Sequence, residues 1–446
     1  MHGPYAPLPC PPSDELPFHP AISDSVPSLP LEITDLIIDA VASQRAKNVR
    51  SNLAACSLVC RAWTRRSRSH FFKDCRLLLH YYNTARFGEL LRSPHCTILP
   101  HVRRLTMESS GACIFDNIKE ELKFLVRVES LKLSGSSWAA HGAPPRKGFM
   151  ASLATVVELD IDCADLGDFD HAQLIICAFP ALRRLSLPHI PMPYRVYGEN
   201  STLFEPYPPY TPPAWMRSRE DLVRPAPLMS LTIAAPAMIP ILHWLNWTGS
   251  CRLTRLELAL PSKTGSHNTP PLVEFMYNAR DSLEHLKLCS AAAHLDNIGE
   301  VFDLADFQNL RTLHFDHLLQ QGNLGSLEGA LVSIVRSITS PVLESVCFAC
   351  DDHKLFNRIA WGELDDFFSG SEFPRLKLVR VSREWAHTAV EDANFTSEVK
   401  QLFPRVDARG LLQIQLPARP PTSLRLPKLE DVDAESLAYI AELIPL

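Results

Sequence analysis

The stretch VESLKL (128–133) decides the fold, because the same phrase occurs in ten copies along the chain. An apolar residue fills its first, fourth and sixth positions, and most of the residues between them are polar. This alternation is typical of a short β-strand whose inward side chains lie on one face. The copies are VRRLTM (102–107), VESLKL (128–133), VVELDI (156–161), LRRLSL (182–187), LMSLTI (228–233), LTRLEL (253–258), LEHLKL (283–288), LRTLHF (310–315), LESVCF (343–348) and LKLVRV (376–381).

The spacing of the copies indicates a repeat protein. Their fourth positions stand 26, 28, 26, 46, 25, 30, 27, 33 and 33 residues apart. One unit of this length cannot bury its apolar face alone, so it is stable only when neighbouring units stack against it. Segments typical of helices, such as FDNIKEELKFLVR (115–127) and GALVSIVRSI (329–338), precede several copies. The pattern predicts a leucine-rich repeat solenoid over residues 101–416; the alternative is a compact α/β domain.

Two departures from the usual repeat predict an irregular solenoid. The asparagine or cysteine that usually follows the last apolar position by three residues is absent, which puts the hydrogen-bonded ladder of such residues in doubt. The residues found there are Ser136, Ala164, Pro261, Ala291 and Leu318. The 46-residue step contains an insertion at 188–227, rich in proline and aromatic residues, which either contacts a target or is a tolerated surface loop.

A second pattern near the N-terminus predicts helices. In SLPLEITDLIIDAVASQ (28–44), apolar residues recur at helical spacing and mark a face that must be buried against something. That stripe is Ile33, Leu36, Ile37, Ala40 and Val41, while Leu31 and Ile38 lie outside it. Pro30 suits the first helical position, and Glu32 favours the helix dipole. With two further short helices, residues 28–73 are expected to form a three-helix module.

Composition and charge narrow the class of protein. The chain has 446 residues, 46% hydrophobic content and a net charge of −6, which gives no whole-chain attraction to nucleic acid or to an anionic membrane. There is no run of about 18 apolar residues, so an intracellular protein of the cytoplasm or nucleus is expected, with its twelve cysteines reduced. The remaining segments are interpreted as a disordered proline-rich leader (1–27), linker helices (74–100) and a C-terminal cap (417–446).

Three groups of residues could suggest a chemical site, and an ordinary structural role is the favoured interpretation of each. Cys347 and Cys350 form a C-x-x-C, but no second such pair is present for a zinc site. Arg61, Arg65, Arg66 and Arg68 are interpreted as a solvated helix face beside Trp63. His314, Asp316 and His317 lack a nucleophile motif. No catalytic residue, metal or cofactor is therefore predicted.

LPLEITDLIIDAV (29–41) followed by LAACSLVCRAWTRRSRSHFF (53–72) resembles an F-box, the helical module of cullin-type ubiquitin ligases. The usual pattern is L-P-x-E-I, then L-x-x-x-S-x-V-C-x-x-W, then a closing Phe. The matching residues are Leu29, Pro30, Glu32, Ile33, Leu53, Cys56, Leu58, Val59, Cys60, Trp63 and Phe71. The layout of F-box plus leucine-rich repeats is similar to that of divergent fungal F-box proteins. An alternative is that these helices are only a cap on the solenoid.

The resemblance implies a non-enzymatic substrate-recognition subunit of a Skp–cullin–F-box ligase, whose F-box binds a Skp-type adaptor and, through it, a cullin. The implied adaptor-binding residues are Leu29, Pro30, Ile33, Leu53, Leu58, Val59, Cys60 and Trp63. A ligase-independent leucine-rich repeat scaffold is the main alternative, and an enzyme using the C-x-x-C thiols is a third. The target itself cannot be named from the sequence.

The alternation within each phrase predicts which residues would meet the target. The third and fifth positions, and the residue after the phrase, are expected to face outward along the sheet. They include Arg104, Glu108, Lys132, Glu158, Asp160, Asp162, Arg184, Arg255, Glu257, His285, Lys287, His314, Asp316 and Arg380. Glu158, Asp160 and Asp162 place three carboxylates on one strand, which is costly unless a basic neighbour such as Arg184 offsets them.

Overall fold

The computed structural model describes residues 29–44, 48–78, 81–109, 119–135, 153–163, 169–188, 225–234, 238–249, 251–260, 269–290, 303–316, 331–350, 359–383 and 389–417. The chain divides into two compact units, Met1–Phe71 and Phe72–Leu446. The expected leader (1–27), nearly all of the insertion (188–227) and all but the first residue of the C-terminal cap (417–446) lie outside the described residues. The five positions tested for the asparagine ladder and His317 lie outside them as well.

The first unit contains the three helices expected between residues 28 and 73. They are α1 (Leu31–Ser43), α2 (Val49–Ser57) and α3 (Arg61–Lys73). Pro30 stands one position earlier than predicted, at the N-cap of α1, where its carbonyl oxygen accepts the backbone N–H groups of Ile33 and Thr34 at 3.1 Å each. Since an N-cap carbonyl begins the intrahelical hydrogen bonds, Pro30 still marks the start of the helix.

The structure shows which side of α1 faces the interior of the helical unit, a point that the sequence left open. The buried residues of α1 are Thr34 and Ile38, whereas Ile33, Leu36 and Ile37 of the predicted stripe are exposed. The helix α2 contributes one buried residue, Leu53. Three short helices offer little interior, and the side of α1 bearing Ile38 occupies it, so the larger apolar stripe remains at the surface.

The second unit is built on one sheet of twelve parallel strands, whose order across the sheet follows their order along the chain. The strands are β1 (Asp74–Leu78), β2 (Arg104–Ser109), β3 (Ser130–Gly135), β4 (Glu158–Cys163), β5 (Arg184–Leu187), β6 (Leu228–Ala234), β7 (Cys251–Leu260), β8 (His285–Ser290), β9 (Thr312–Asp316), β10 (Ser345–Cys350), β11 (Leu378–Arg383) and β12 (Leu412–Gln415). Each of the ten phrases coincides with one strand from β2 to β11. The predicted α/β repeat architecture is confirmed.

The register aligns equivalent positions of the phrases across the sheet and builds the core from them. The fourth positions form one continuous row in which every side chain is at most 1% exposed. That row is Leu105, Leu131, Leu159, Leu185, Leu231, Leu256, Leu286, Leu313, Val346 and Val379. Neighbouring repeats thus bury the apolar side chains that a single strand could not bury alone, as the repeat length predicts.

Helices between the strands contribute to the same core. They are Tyr81–Arg92, Lys119–Leu122, Phe169–Cys177, Met238–Thr248, Thr269–Ala279, Trp361–Ser369, Ala389–Leu402 and Pro404–Ala408. Toward the C-terminal end the packing becomes aromatic: the ring of Trp361 lies 5.3 Å from Phe348 edge to face and 5.3 Å from Phe403. Such pairs add to the burial of apolar area.

The sheet extends one strand beyond the phrases at each end. Residues 74–100 were predicted to form linker helices, but they contain β1 as well as the helix Tyr81–Arg92. Cys75 pairs with Leu105, and Leu412 of β12 pairs with Val379. The expected phrase is degenerate at both ends, since Cys75 and Arg409 stand where the other repeats have apolar residues.

Hydroxyl side chains link neighbouring repeats just before the strands. Thr155 donates from Oγ1 to the carbonyl oxygen of Val128 at 2.8 Å, and Ser282 donates from Oγ to Leu253 at 2.9 Å. The buried Ser340 likewise donates to Leu310 at 2.8 Å. These bonds satisfy buried carbonyl groups between repeats, a task that an asparagine ladder performs in regular solenoids.

Candidate functional site

The helical unit exposes several large apolar side chains, on and just before α1 and just after α2. They are Leu29, Leu31, Ile33, Leu36, Ile37, Leu58 and Val59, and we call this set the apolar patch. The exposed fractions run from 38% at Ile37 to 85% at Leu58. Single exposed leucines are ordinary, but a group this dense on so short a segment is typical of a protein-interaction site.

The implied adaptor-binding residues are mostly at the surface. Leu29, Ile33, Leu58 and Val59 belong to the apolar patch, while Pro30 and Cys60 are also exposed and Trp63 is half-buried. Leu53 is the exception, because it is only 3% exposed and forms part of the interior. A side chain so enclosed supports the helices from within and cannot contact a partner directly.

Three members of the apolar patch are not among the residues that the resemblance implies for adaptor binding, namely Leu31, Leu36 and Ile37. The signal was present, because Leu36 and Ile37 belong to the helical stripe of α1. The stripe shows that a face must be covered, but it does not show whether the cover comes from the same chain or from another.

A cluster of charged side chains, Asp39 with Arg66 and His70, joins α1 to α3, and we call it the charged clasp. Arg66 donates to both carboxylate oxygens of Asp39, with Nε to Oδ1 at 2.7 Å and Nη2 to Oδ2 at 2.6 Å, and Nε2 of His70 lies 2.7 Å from Oδ1. The hydrogen bonds from Arg66 lower the pKa of Asp39 to about 2, with His70 adding to the effect. The four arginines near Trp63 are therefore not a uniform solvated face, because Arg66 is paired within the unit.

The sheet carries its polar residues on the face opposite the core, which we call the open face. The third positions of the repeats align as Asp74, Arg104, Ser130, Glu158, Arg184, Ser230, Arg255, His285, Thr312, Ser345 and the apolar Leu378. The fifth positions align as Arg76, Thr106, Lys132, Asp160, Ser186, Thr232, Glu257, Lys287, His314, Cys347, Arg380 and Gln413. Glu108, Asp162 and Asp316 follow one row further along their strands. The structure thus places every predicted target-binding residue in these three rows.

Most of the charges on the open face are neutralised by a neighbouring strand. The three carboxylates of β4 are compensated as required: Nη2 of Arg184 lies 2.9 Å from Oε2 of Glu158, and Nζ of Lys132 lies 3.0 Å from Asp160 and 3.2 Å from Asp162. Burial lowers the pKa of Lys132, but its hydrogen bonds to the two aspartates outweigh burial and raise it. Arg104 pairs with Asp74 and Arg76 with Glu108 in the same way.

A second compensated cluster spans β7 to β9. Nζ of Lys287 lies 2.9 Å from Oε1 of Glu257 and 2.8 Å from Oδ2 of Asp316, and the Asp316 residue is only 5% exposed. Burial lowers the pKa of Lys287, but hydrogen bonds to Asp316 and Glu257 raise it overall. Sγ of Cys289 lies 3.7 Å from both carboxylates, and burial raises the pKa of this thiol to about 12. Lys287 therefore holds the carboxylates of two flanking strands.

Two arginines on the open face have no carboxylate partner among the described residues. The side chain of Arg255 is exposed and makes no hydrogen bond or ion pair within that part of the chain. Arg380 donates from Nε only to the neutral Oε1 of Gln413, at 2.9 Å. Between them lie His285 and His314, and burial lowers the pKa of both imidazoles, with Arg255 adding to the effect on His285. At pH 7 the histidines are therefore neutral and the two arginines keep uncompensated charge.

The environment of Cys347, the first thiol of the C-x-x-C, does not favour metal or redox chemistry, while the side chain of Cys350 lies outside the described residues. Burial raises the pKa of Cys347, which disfavours the thiolate that either chemistry needs. In the described ranges, no group of three or more His, Cys, Asp or Glu residues is arranged to hold a metal ion. The part of the chain that the structure describes also has no helix long and apolar enough to cross a membrane.

Comparisons with known proteins leave the family open. No family model matches the chain, and no curated protein matches it. Among solved structures it is similar to the crystal structure of a protein from Bacteroides fragilis, with a TM-score of 0.31 and 11% sequence identity over 76% of this chain and 72% of that chain. The description of the fold therefore rests on the strand register of the chain itself.

Proposed function

We propose that this chain is a substrate-recognition subunit of a Skp–cullin–F-box ubiquitin ligase. The observation that carries the proposal is the apolar patch, because it lies on the three-helix segment whose sequence resembles an F-box. A partner that buries the patch removes apolar surface from water, which is the main driving force of stable protein association. The proposed partner is a Skp-type adaptor, and the cullin is bound through it.

The sheet unit supplies the second half of the proposed function. Its leucine-rich repeats present a long row of polar side chains on the open face, where a target protein would bind. The chain holds the target while other subunits transfer ubiquitin, and it performs no catalysis itself. Its proposed location is the cytoplasm, the nucleus or both.

Co-purification of the full chain with adaptor and cullin tests the proposal. In the variant Leu36→Asp/Leu58→Asp, two exposed members of the apolar patch become charged, and a charge without a partner in a desolvated interface is costly. Truncation of a central anchor already costs about 2 kcal/mol or more, so adaptor recovery should fall below about one tenth of the wild-type value. The control is Leu174→Asp, since Leu174 is an equally apolar residue of the sheet unit and is 42% exposed.

The outcomes separate the proposal from the alternatives. Recovery of adaptor and cullin with the wild type and with Leu174→Asp, but not with the folded double variant, supports the ligase subunit. Equal recovery with the double variant would place the adaptor contact elsewhere. Capture of other proteins without adaptor would support the ligase-independent scaffold instead.

A further inference from the structure

We propose that the open face from β7 to β11 binds an extended acidic segment of the target, which crosses the strands and places one anionic side chain at Arg255 and another at Arg380. The inference rests on the proposed function, since it assigns a chemical class to the target of the same protein. It concerns only the sheet unit, so it is tested without reference to the apolar patch.

The first step of the argument is the charge left over on the open face. Arg104, Arg184, Lys132 and Lys287 are each held by a carboxylate of a neighbouring strand. A cation that already has such a partner gains little from a second anion, because part of its field is neutralised and its donors are used. Arg255 and Arg380 lack a carboxylate within the described ranges, so a ligand anion gains most at these two points.

The second step is the distance between the two arginines. Four strand-to-strand steps separate β7 from β11, which corresponds to about 19 Å across the sheet at about 4.8 Å per step. Arg380 lies one row further along the strand direction, which adds about 7 Å in that direction and gives about 20 Å in total. An extended peptide rises about 3.3 Å per residue, so the two anionic side chains should stand about six residues apart.

The third step concerns what lies between the arginines. Glu257, Lys287 and Asp316 carry a net charge of −1 together, and Asp316 is nearly buried. An acidic side chain above this cluster would be repelled, so the middle of the segment should be neutral. The hydroxyl group of Ser345 lies in the same part of the face and can bond with a polar peptide, whereas Oγ1 of the neighbouring Thr312 already lies 2.7 Å from Nδ1 of His285. The predicted ligand is therefore acidic at both ends and uncharged between them.

Carboxylates and phosphates share the chemistry that an arginine recognises, since both accept paired hydrogen bonds from the guanidinium fork. The test therefore includes both sources of negative charge. Three fluorescent peptides of about 14 residues are needed, with a neutral Gly/Ser/Ala background. The first has two glutamates about six residues apart, the second has two phosphoserines at the same places, and the third has two glutamates about three residues apart.

Fluorescence anisotropy with the full chain measures their binding. The peptides with the wide spacing should bind, whereas the peptide with the narrow spacing should bind at least about threefold more weakly. Arg255→Ala and Arg380→Ala should each lower affinity by about threefold to tenfold and reduce its salt dependence. Arg104→Ala is the matched control, because Arg104 lies on the same face but is paired with Asp74.

The inference would be overturned by equal binding of both spacings, or by affinity that survives in the folded double variant Arg255→Ala/Arg380→Ala. Failure of every acidic peptide to bind the wild type would overturn it as well. Tighter binding of the phosphoserine peptide would identify phosphate as the preferred source of charge. Adaptor recovery should also be measured with the same double variant. If the variant no longer binds the peptide but still recovers adaptor, the result concerns the open face alone and leaves the proposed ligase function untouched.

Discussion

The two units of this protein differ in where they leave their apolar side chains. In the sheet unit, the fourth position of every phrase is at most 1% exposed, and most charges on the open face have a partner on the next strand. In the described part of the helical unit, Ile38 and Leu53 are buried, while seven large apolar residues are exposed. One unit completes its own core, and the other presents much of its apolar surface to solvent.

This difference shows that a strong apolar pattern has two distinct meanings. In a repeated strand it describes the interior, because the neighbouring repeat supplies the cover. In the short helices of the first unit it describes a surface that stays exposed, because too few residues of these helices are available to cover it. A substitution of a buried leucine in the sheet unit should therefore lower stability. A substitution in the apolar patch should leave stability nearly unchanged and weaken the proposed association with a partner.

The largest expected effect comes from the core of the sheet. Leu256→Ala removes a fully buried side chain from β7 and should lower the free energy of unfolding by about 2–5 kcal/mol, through lost burial and the cavity left behind. Leu36→Ala, in the apolar patch, should change it by no more than about 0.5 kcal/mol. Urea unfolding measures both. A comparable loss for Leu36→Ala would mean that the apolar patch is interior, and the contrast between the units would fail.

An intermediate effect is expected where the open face is charged. Lys287→Ala leaves the carboxylates of Glu257 and Asp316 facing each other, and Asp316 is nearly buried, so we expect a loss of about 2–3 kcal/mol. Adding Asp316→Asn should recover part of that loss. Lys132→Ala is the matched control, with a loss below about 1 kcal/mol, because its two aspartates are more exposed. Identical losses for the two lysines would show that burial at Asp316 has no energetic effect.

The smallest effect concerns the clasp between α1 and α3. Asp39→Asn should cost about 0.5–1 kcal/mol at neutral pH, because both partners are partly exposed and solvent screens the pair. The folded-state pKa of Asp39 is about 2, below the ordinary value of 3.8, so the stabilisation is present above about pH 4 and is lost as the pH falls through about 2. Unfolding of both forms should be followed from pH 7 to pH 2. A difference that persists at pH 2 would rule out the carboxylate as its source.

Much of the fold could be predicted because its signal is local. The ten phrases predicted ten strands, and the helical spacing near the N-terminus predicted three helices. The terminal strands were missed because the phrase is degenerate there, as at Cys75 and Arg409. The ion-pair partner of a charged side chain can be predicted only when the strand register is known. The pairing of Lys132 with Asp160 and Asp162, for example, follows from the fact that β3 and β4 are neighbours.

The surfaces of the two units were predicted less completely than the fold. The open face follows from alternation alone, so its residues were placed correctly. The inward side of α1 was not predicted, because both Ile38 and the stripe through Leu36 are apolar and only packing chooses between them. The resemblance to an F-box implies that Leu53 contacts the adaptor, but Leu53 is buried. A sequence pattern does not distinguish a residue that contacts a partner from one that packs inside the module.

The strict agreement between strand order and chain order has a consequence for how this protein can change over time. Each strand is hydrogen-bonded only to the strands before and after it in sequence, so no distant segment depends on any one repeat. A repeat could be duplicated, lost or rewritten while the rest of the sheet closes around the change. The open face can therefore be altered one repeat at a time, without rebuilding the strands on either side.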